Sequence, residues 1–261
     1  MSIFHHFING EWIASDKTRL NINPSNPDEV IGEYAEASVQ DMESAVVAAA
    51  EAAKVWSSST PQQRFEVLDF IGTEILARKQ ELGLLLAREE GKVLPEAVGE
   101  VTRAGFIFKF FAGEALRIGG QAIASVRPNM EVLTSREAVG VVGLITPWNF
   151  PIAIPAWKTA PALACGNAVV LKPSELTPGC AWALAEIISR SGLPKGVFNL
   201  VMGDGVAGKT LVEHRAVDAI SFTGSTQTGK LIAQHCALNL KKYQLEMGGK
   251  NPLVILDDAD L

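Results

Sequence analysis

Apolar positions along the chain follow two periods, and the change from one to the other divides it. Between residues 40 and 116 they return every three or four positions. Met42, Val46, Ala49 and Ala53 share one face of a helix predicted over Gln40–Trp56. Thr60, Pro61 and Gln63 then supply an N-cap, a proline at the first helical position and a capping-box partner. They open a helix carrying Leu68, Ile71, Ile75 and Leu76, with a break before Leu82–Arg88 and a stop at Gly91. Pro95 opens a third, with Val98, Val101, Phe108, Ala112 and Leu116 on its apolar side, ending near Gly119-Gly120. Three helices are therefore expected before the first buried strand. Ahead of them, FINGEWI places Asn9-Gly10 between short apolar runs, the dipeptide of a type I′ hairpin turn. Pro24 and Pro27 are expected to keep the backbone extended.

From residue 139 the pattern becomes short continuous apolar runs alternating with helical stretches. The first run ends at Pro147, a loop carries Trp148, Asn149 and Phe150, a short helix crosses over, and Ala168–Leu171 delivers Lys172 and Glu175. That is a βαβ unit with polar groups just past the carboxyl end of each strand, where open α/β sheets bind ligands. The stretch from Val139 to Leu171 is long enough to span a bilayer. Pro147, Pro151, Pro155 and Pro161 would break a spanning helix and Lys158 would sit near its middle, so buried parallel strands explain the run better. Thr177 and Pro178 then start a helix over Ala181–Ser191, closed by Gly192. A strand over Val197–Met202, a helix over Val206–His214, a strand over Ala219–Phe222 and a helix over Thr226–Ala237 follow, with Tyr243–Glu246 and Leu253–Leu256 as further strands. Repeated βα units build a doubly wound parallel sheet. Between the two regions, Ala124–Arg127 and Glu131–Arg136 alternate in polarity around Pro128-Asn129, an antiparallel arm that serves as a subunit contact or stands as an exposed hairpin.

Composition narrows the class without changing this picture. Hydrophobic residues at 48% with charged residues at 20% describe a soluble globular chain. The balance of 23 basic and 29 acidic residues, with no basic run, gives no sign of a nucleic-acid or anionic-membrane partner. The opening MSIFHHFINGEW lacks the pattern of a signal peptide. Cys165, Cys180 and Cys236 form no CxxC pair, so neither a disulfide framework nor a metal site is expected, and a reducing cytoplasm fits best.

Two glycine-rich turns compete for phosphates. Gly203-Asp204-Gly205-Val206-Ala207-Gly208 matches G-x-G-x-x-G between a strand and a helix. The acidic ribose partner due about 20 residues later is not at the end of the next strand, where Ser221 and Phe222 stand. The second turn, Phe222-Thr223-Gly224-Ser225-Thr226-Gln227-Thr228-Gly229, offers backbone N–H groups, hydroxyls and a helix N-terminus to a pyrophosphate and is the better candidate.

TPWNFP (146–151), KPSE (172–175), FTGST (222–226) and EMGGKNP (246–252), in this order and spacing, resemble the aldehyde dehydrogenase superfamily, and the resemblance extends to the opening FINGEW. It implies an α/β, Rossmann-like cofactor domain with an N-terminal helical region and a projecting β arm. Residues 1–120 would form its hairpin and helices, 121–138 an oligomerisation arm, 139–250 the NAD-binding part and 251–261 the start of a catalytic domain. Asn149 resembles the oxyanion-stabilising asparagine and Glu246 the general base that activates water. Lys172 and Glu175 resemble the pair on the adenosine ribose, and a carboxylate there favours NAD, with NADP as the alternative. Ser225 resembles the pyrophosphate contact, with Gly224 and Gly229 allowing close approach. The remaining cofactor positions implied are Thr146, Pro147, Trp148, Ser174, Gly205, Gly208, Phe222 and Thr223, while Phe150 and Trp157 match positions lining the aldehyde tunnel.

The family's nucleophilic cysteine lies beyond its EMGGK motif, and none of the three cysteines here falls in that later motif. The chain is therefore expected to be the N-terminal portion of a longer enzyme, a homo-oligomer when complete, that oxidises an aldehyde through a cysteine thioester. The WNFPIAIPAWK and FKFFAGEALR stretches resemble the branch acting on semialdehydes of dicarboxylic acids, such as 2-oxoglutaric semialdehyde. The rival readings are a non-catalytic dinucleotide-binding module and an acyl-CoA-forming relative, the latter disfavoured by Glu246.

Overall fold

The sheet was built from short runs whose neighbours arrive from distant parts of the chain. A computed structural model describes residues 3–260. The chain opens with β1 (Ile3–Phe4), β2 (His6–Ile8), β3 (Glu11–Ile13), β4 (Thr18–Ile22) and β5 (Val30–Ala35). Four helices follow: α1 (Val39–Trp56), α2 (Pro61–Ala77), α3 (Lys79–Glu90) and α4 (Leu94–Ala115). After the arm strands β6 (Gln121–Ala124) and β7 (Glu131–Thr134) come β8 (Val141–Ile145), α5 (Ala153–Ala164), β9 (Ala168–Lys172), α6 (Pro178–Ser189) and β10 (Phe198–Leu200). The remainder is α7 (Gly205–Glu213), β11 (Ala219–Gly224), α8 (Thr226–Leu238) and β12 (Lys242–Met247).

The main sheet has the order β12-β11-β8-β9-β10-β2-β3, parallel from β12 to β10, with the β2–β3 hairpin added antiparallel at one edge. Its central strands β8 and β9 are buried along nearly their whole length, which is why they read as continuous apolar runs. Along β9, Val169 and Leu171 join the core under α2, α4, α5 and α6, whereas Ala168 and Val170 join the core under α1, α7 and α8. The expected α/β, doubly wound architecture is the one observed.

Local signals account for most boundaries. Asn9 and Gly10, at φ of 52° and 79°, make the tight turn of the β2–β3 hairpin. The Thr60 and Gln63 capping box is formed, and Gly91, at φ of 85°, ends α3. Met42, Val46, Ala49 and Ala53 are all buried on α1.

Elsewhere the expectations fail for identifiable reasons. Pro24 and Pro27 do not extend the chain. Each follows an asparagine at the second position of a turn, with Asn26 N–H donating to the Asn23 carbonyl (3.1 Å) and Glu29 N–H to that of Asn26 (2.8 Å), and these turns join β4 to β5. Buried strand β2 and the largely buried β5 therefore precede the helices, which number four once the break at Arg78 is counted. Leu116 is exposed, one residue past the end of α4. The arm pairs Gln121–Ala124, three residues earlier than expected, and every residue of β6 and β7 is exposed. Thr177 sits at the start of α6 but its hydroxyl donates to the Trp148 carbonyl (3.4 Å) rather than capping the helix. Leu253–Leu256 is irregular and exposed, with no strand alongside it among the described residues, so its apolar pattern finds no ladder to join. No helix among the described residues is long and apolar enough to cross a membrane.

His6 clamps the hairpin to the parallel sheet. It is fully buried, and its Nδ1 accepts from the Met202 N–H (3.1 Å). Burial pushes its pKa down to about 4, against a weaker opposing pull from Asp41. The folded chain thus binds fewer protons than the unfolded chain between about pH 4 and 6.5, so this contribution is complete above pH 6.5 and is lost as pH falls toward 4. Denaturant unfolding should show up to about 3 kcal/mol lost across that window. His6→Asn, which keeps an acceptor but does not titrate, should flatten it; an equally steep profile in the variant would show that other groups control it.

Candidate functional site

The strand order reverses between β8 and β11, and the carboxyl ends there define the crevice where doubly wound sheets take ligands. Ile145 is in register with both Lys172 and Phe222, Phe222 with Leu245, and Thr223 with Glu246. The next residues along each strand therefore form one rim: Thr146 to Phe150 after β8, Ser174 and Glu175 after β9, Gly224 and Ser225 after β11, and Glu246 near the end of β12. Four segments separated by up to a hundred residues of sequence meet on this edge.

On the β9 side Lys172 is buried, and its ammonium donates to the Gly203 carbonyl (2.7 Å) while facing Glu175 (3.6 Å). Burial lowers the Lys172 pKa, and the Glu175 carboxylate works against that shift. Glu175 is half-exposed, so it retains lone pairs for a ligand hydroxyl. Ser174 is buried and accepts from the Leu176 N–H (3.2 Å), fixing the bend that presents Glu175. The same Lys172 bond ties the first glycine turn to the rim. Gly208 packs by the lysine stem, and Gly205 has open space where a side chain would be.

The second glycine turn opens α8. Ser225 is its N-cap, accepting from the Thr228 N–H (3.2 Å) and sharing a hydroxyl contact with Thr228 (2.9 Å). Its neighbours at the helix start lie where a helix dipole favours an anion. Gly224 and Gly229 have a second reason to be glycine: a Cβ would fall 2.6 Å from the Phe222 ring in the first and 2.4 Å from the Met247 sulfur in the second.

After β8, Thr146 is buried with its N–H on the Lys172 carbonyl (3.2 Å), Pro147 is partly buried, and Trp148 and Asn149 are exposed. The Asn149 carbonyl accepts from Lys92 (3.1 Å), while its side-chain amide has no protein partner among the described residues. Glu100 of α4, buried, accepts from the N–H groups of Ile152 and Ala153 (3.2 and 3.1 Å) and pairs with Lys92 (2.7 Å). A buried carboxylate from the outer layer thus caps α5 and, through Lys92, holds the Asn149 loop. Phe150 and Trp157 stack at 6.5 Å between centroids, with Lys92 over the Phe150 ring at 4.1 Å.

Glu246 faces a cleft of about 730 Å³ between α5 and the β8–β11–β12 face, which no other helix lines among the described residues. On the same wall Lys158 donates to Ser221 (2.7 Å) and Gln244 (3.1 Å), and burial lowers its pKa to about 8 against the attraction of Glu246. Cys165 also borders this cleft but at the far end of α5, about 18 Å along the helix axis from Ala153. Burial raises its pKa, as it does for Cys180 and Cys236, so none of the three is a thiolate placed beside Asn149.

Lys92, Glu100 and Lys158 were not expected from the sequence. Glu100 carried one available signal: an acid in the middle of an apolar helical face needs a buried partner. Glu100→Ala should cost about 2–4 kcal/mol of stability, because it strands two buried N–H groups and Lys92, and Glu100→Gln less. Denaturant unfolding checks this, and a loss below about 0.5 kcal/mol for the alanine variant would contradict the capping role.

Known proteins are similar to this chain in sequence and fold. The α-ketoglutaric semialdehyde dehydrogenase of Bacillus subtilis is 44% identical over 260 residues, covering 98% of this chain and 53% of that protein. The α-ketoglutarate semialdehyde dehydrogenase of Haloferax volcanii is 43% identical over 258 residues, covering 98% and 54%. This chain thus spans about half the length of the curated relatives it matches. The crystal structure of betaine aldehyde dehydrogenase from Staphylococcus aureus in complex with NAD+ superposes with a TM-score of 0.92 at 40% identity, covering 98% of this chain and 52% of that one. Residues 12–261, which include every segment of the rim, match the description "Aldehyde dehydrogenase family", and the chain belongs to that family.

Proposed function

We propose that this chain forms the cofactor-binding half of an NAD-dependent enzyme that oxidises the semialdehyde of a dicarboxylic acid to the acid. The observation that carries this reading is the meeting of Asn149, Glu246 and the Lys172–Glu175 pair on one rim of the sheet, at its switch point. In domain terms, residues 1–120 and 139–250 make the cofactor domain, 121–138 an arm for homo-oligomer contacts, and 251–261 the start of the catalytic domain. Three free cysteines suit a reducing cytoplasm.

The residues present fit a dinucleotide. A ribose diol needs an acceptor and a donor, which Glu175 and Lys172 offer, and a pyrophosphate suits the start of α8 at Ser225, with Gly224 before it. Glu175 would repel a 2′-phosphate, which selects NAD over NADP. Thr146, Pro147, Trp148, Ser174, Gly205, Gly208, Phe222, Thr223 and Gly229 would shape the surrounding walls. When bound, NAD accepts the hydride leaving the substrate carbon.

The chain's own residues do the rest. Phe150 and Trp157 line the aldehyde approach. The Asn149 amide, without a protein partner among the described residues and held by its backbone on Lys92, donates to the oxyanion that forms when a thiolate from outside these residues attacks the aldehyde. Glu246 takes a proton from the water that hydrolyses the resulting thioester, releasing the carboxylic acid and the thiolate. The names of the B. subtilis and H. volcanii relatives support a semialdehyde as substrate.

In the complete enzyme, Glu246→Gln should leave a burst of about one NADH per active site followed by turnover slowed about 10²–10⁴-fold, since reduction precedes hydrolysis. Asn149→Ala should remove the burst rate itself by about 10²–10³-fold. Steady turnover unchanged in either variant would overturn the assignment.

A further inference from the structure

Lys92 stands where three parts of the fold meet. Gly91 ends α3 at φ of 85°, and the next residue turns inward before α4 begins at Leu94. The Lys92 side chain is largely buried, and its ammonium donates to Glu100 (2.7 Å) and to the Asn149 carbonyl (3.1 Å) while Glu90 faces it at 3.0 Å. An ammonium has three N–H donors and no acceptor, so these three oxygens use it fully. Burial works against its charge, but the hydrogen bonds to Glu100 and Glu90 hold its pKa above the ordinary lysine value. It therefore stays charged, and its hold on Asn149 does not come and go across the physiological pH range.

The carbonyl it holds belongs to a residue with little else to fix it. No other hydrogen bond to Asn149 is formed among the described residues. Its neighbours are tied in other ways: the Trp148 carbonyl accepts from the Thr177 hydroxyl (3.4 Å), and the Phe150 carbonyl from the Ile154 N–H (3.1 Å). The ring of Phe150 lies under the same ammonium, 4.1 Å from its centroid, and stacks on Trp157. One cation thus touches both the residue proposed to bind the oxyanion and a wall proposed for the aldehyde approach.

Such a contact acts through charge or through position, and the composition of the cluster decides between them. Glu90 and Glu100 oppose a single ammonium, so the cluster offers an oxyanion no net positive charge. What it offers is position. The two carboxylates fix the ammonium, the ammonium fixes the Asn149 backbone, and the backbone sets where the side-chain amide points. We propose that Lys92 is a positioning residue for the first chemical step, one that places the Asn149 amide and acts on the rate of that step through the amide. The proposal rests on the dehydrogenase reading above and names the residue outside the rim on which the oxyanion contact depends.

The test is a double-mutant cycle on the complete enzyme, reading the rate of the NADH burst at saturating aldehyde and NAD. Lys92→Met should slow the burst about 10- to 100-fold in the wild-type background and less than about threefold in Asn149→Ala, because the amide it places is already gone. Lys92→Arg, which keeps the charge and the donors, should recover part of the loss. A burst unchanged by Lys92→Met, or slowed by the same factor in both backgrounds, overturns the proposal. If removing the cation between two carboxylates unfolds the chain, Lys92→Gln takes its place in the cycle. It keeps a donor for Glu100 on a side chain one bond shorter, and the same two outcomes decide. Hydrogen exchange of the segment 148–153 is measured in parallel, and should accelerate in the variant while that of α2 does not change. If the wild-type enzyme oxidises no aldehyde, the dehydrogenase reading fails by itself; faster exchange in the variant then still supports Lys92 as the anchor of the loop, and unchanged exchange refutes it.

Discussion

Two buried carboxylates hold up the site. The helices that follow β8 and β9 begin inside the protein, where their first N–H groups have no water to turn to. Glu100 accepts the two amides at the start of α5, and Glu89 of α3 accepts those of Gly179 and Cys180 at the start of α6 (both 2.8 Å), together with the side-chain amide of Asn21 (2.8 Å). Burial pushes the Glu89 carboxyl upward while its three N–H donors resist. A buried carboxylate is costly alone, but a helix N-terminus is the partner that offsets the cost. Because these helices start directly after the Asn149 loop and the Lys172–Glu175 loop, the outer helices α3 and α4 set where the site residues stand.

That arrangement explains why the chemistry could be read from the sequence more readily than its support. The βαβ pattern around Asn149 and Lys172 follows from local rules, since strands covered on both faces are apolar throughout and ligand groups sit past their carboxyl ends. The hairpin at Asn9-Gly10 and the cap at Thr60 were likewise local. Glu89, Glu100 and Lys92 act across 50 to 90 residues of sequence, and nothing in their neighbourhoods reveals which amides they accept or hold. The turns at Pro24 and Pro27 are not legible in the sequence for a different reason: each Asn-Pro pair suits a turn as well as an extended segment, and only the pairing of β4 with β5 decides.

The site is open on one side. Glu246 and Lys158 look into a cleft that α5 borders but no other helix lines among the described residues, and Trp157 on its wall, with Phe150 stacked against it, remains partly exposed. Exposed apolar surface beside converging polar groups marks a face built to receive something. The rim proposed for the cofactor, by contrast, draws its contacts from within this chain: Lys172 is buried, bonded to Gly203 and faces Glu175.

The most direct test is therefore calorimetric titration of this 261-residue chain with NAD and NADP, beside Lys172→Ala and Glu175→Ala. Saturable NAD binding that exceeds NADP binding, weakens about tenfold or more in Lys172→Ala, and loses its preference for NAD in Glu175→Ala is the predicted result. A folded chain that binds neither nucleotide, or binds NAD equally well in both variants, would contradict the placement of the cofactor on this rim.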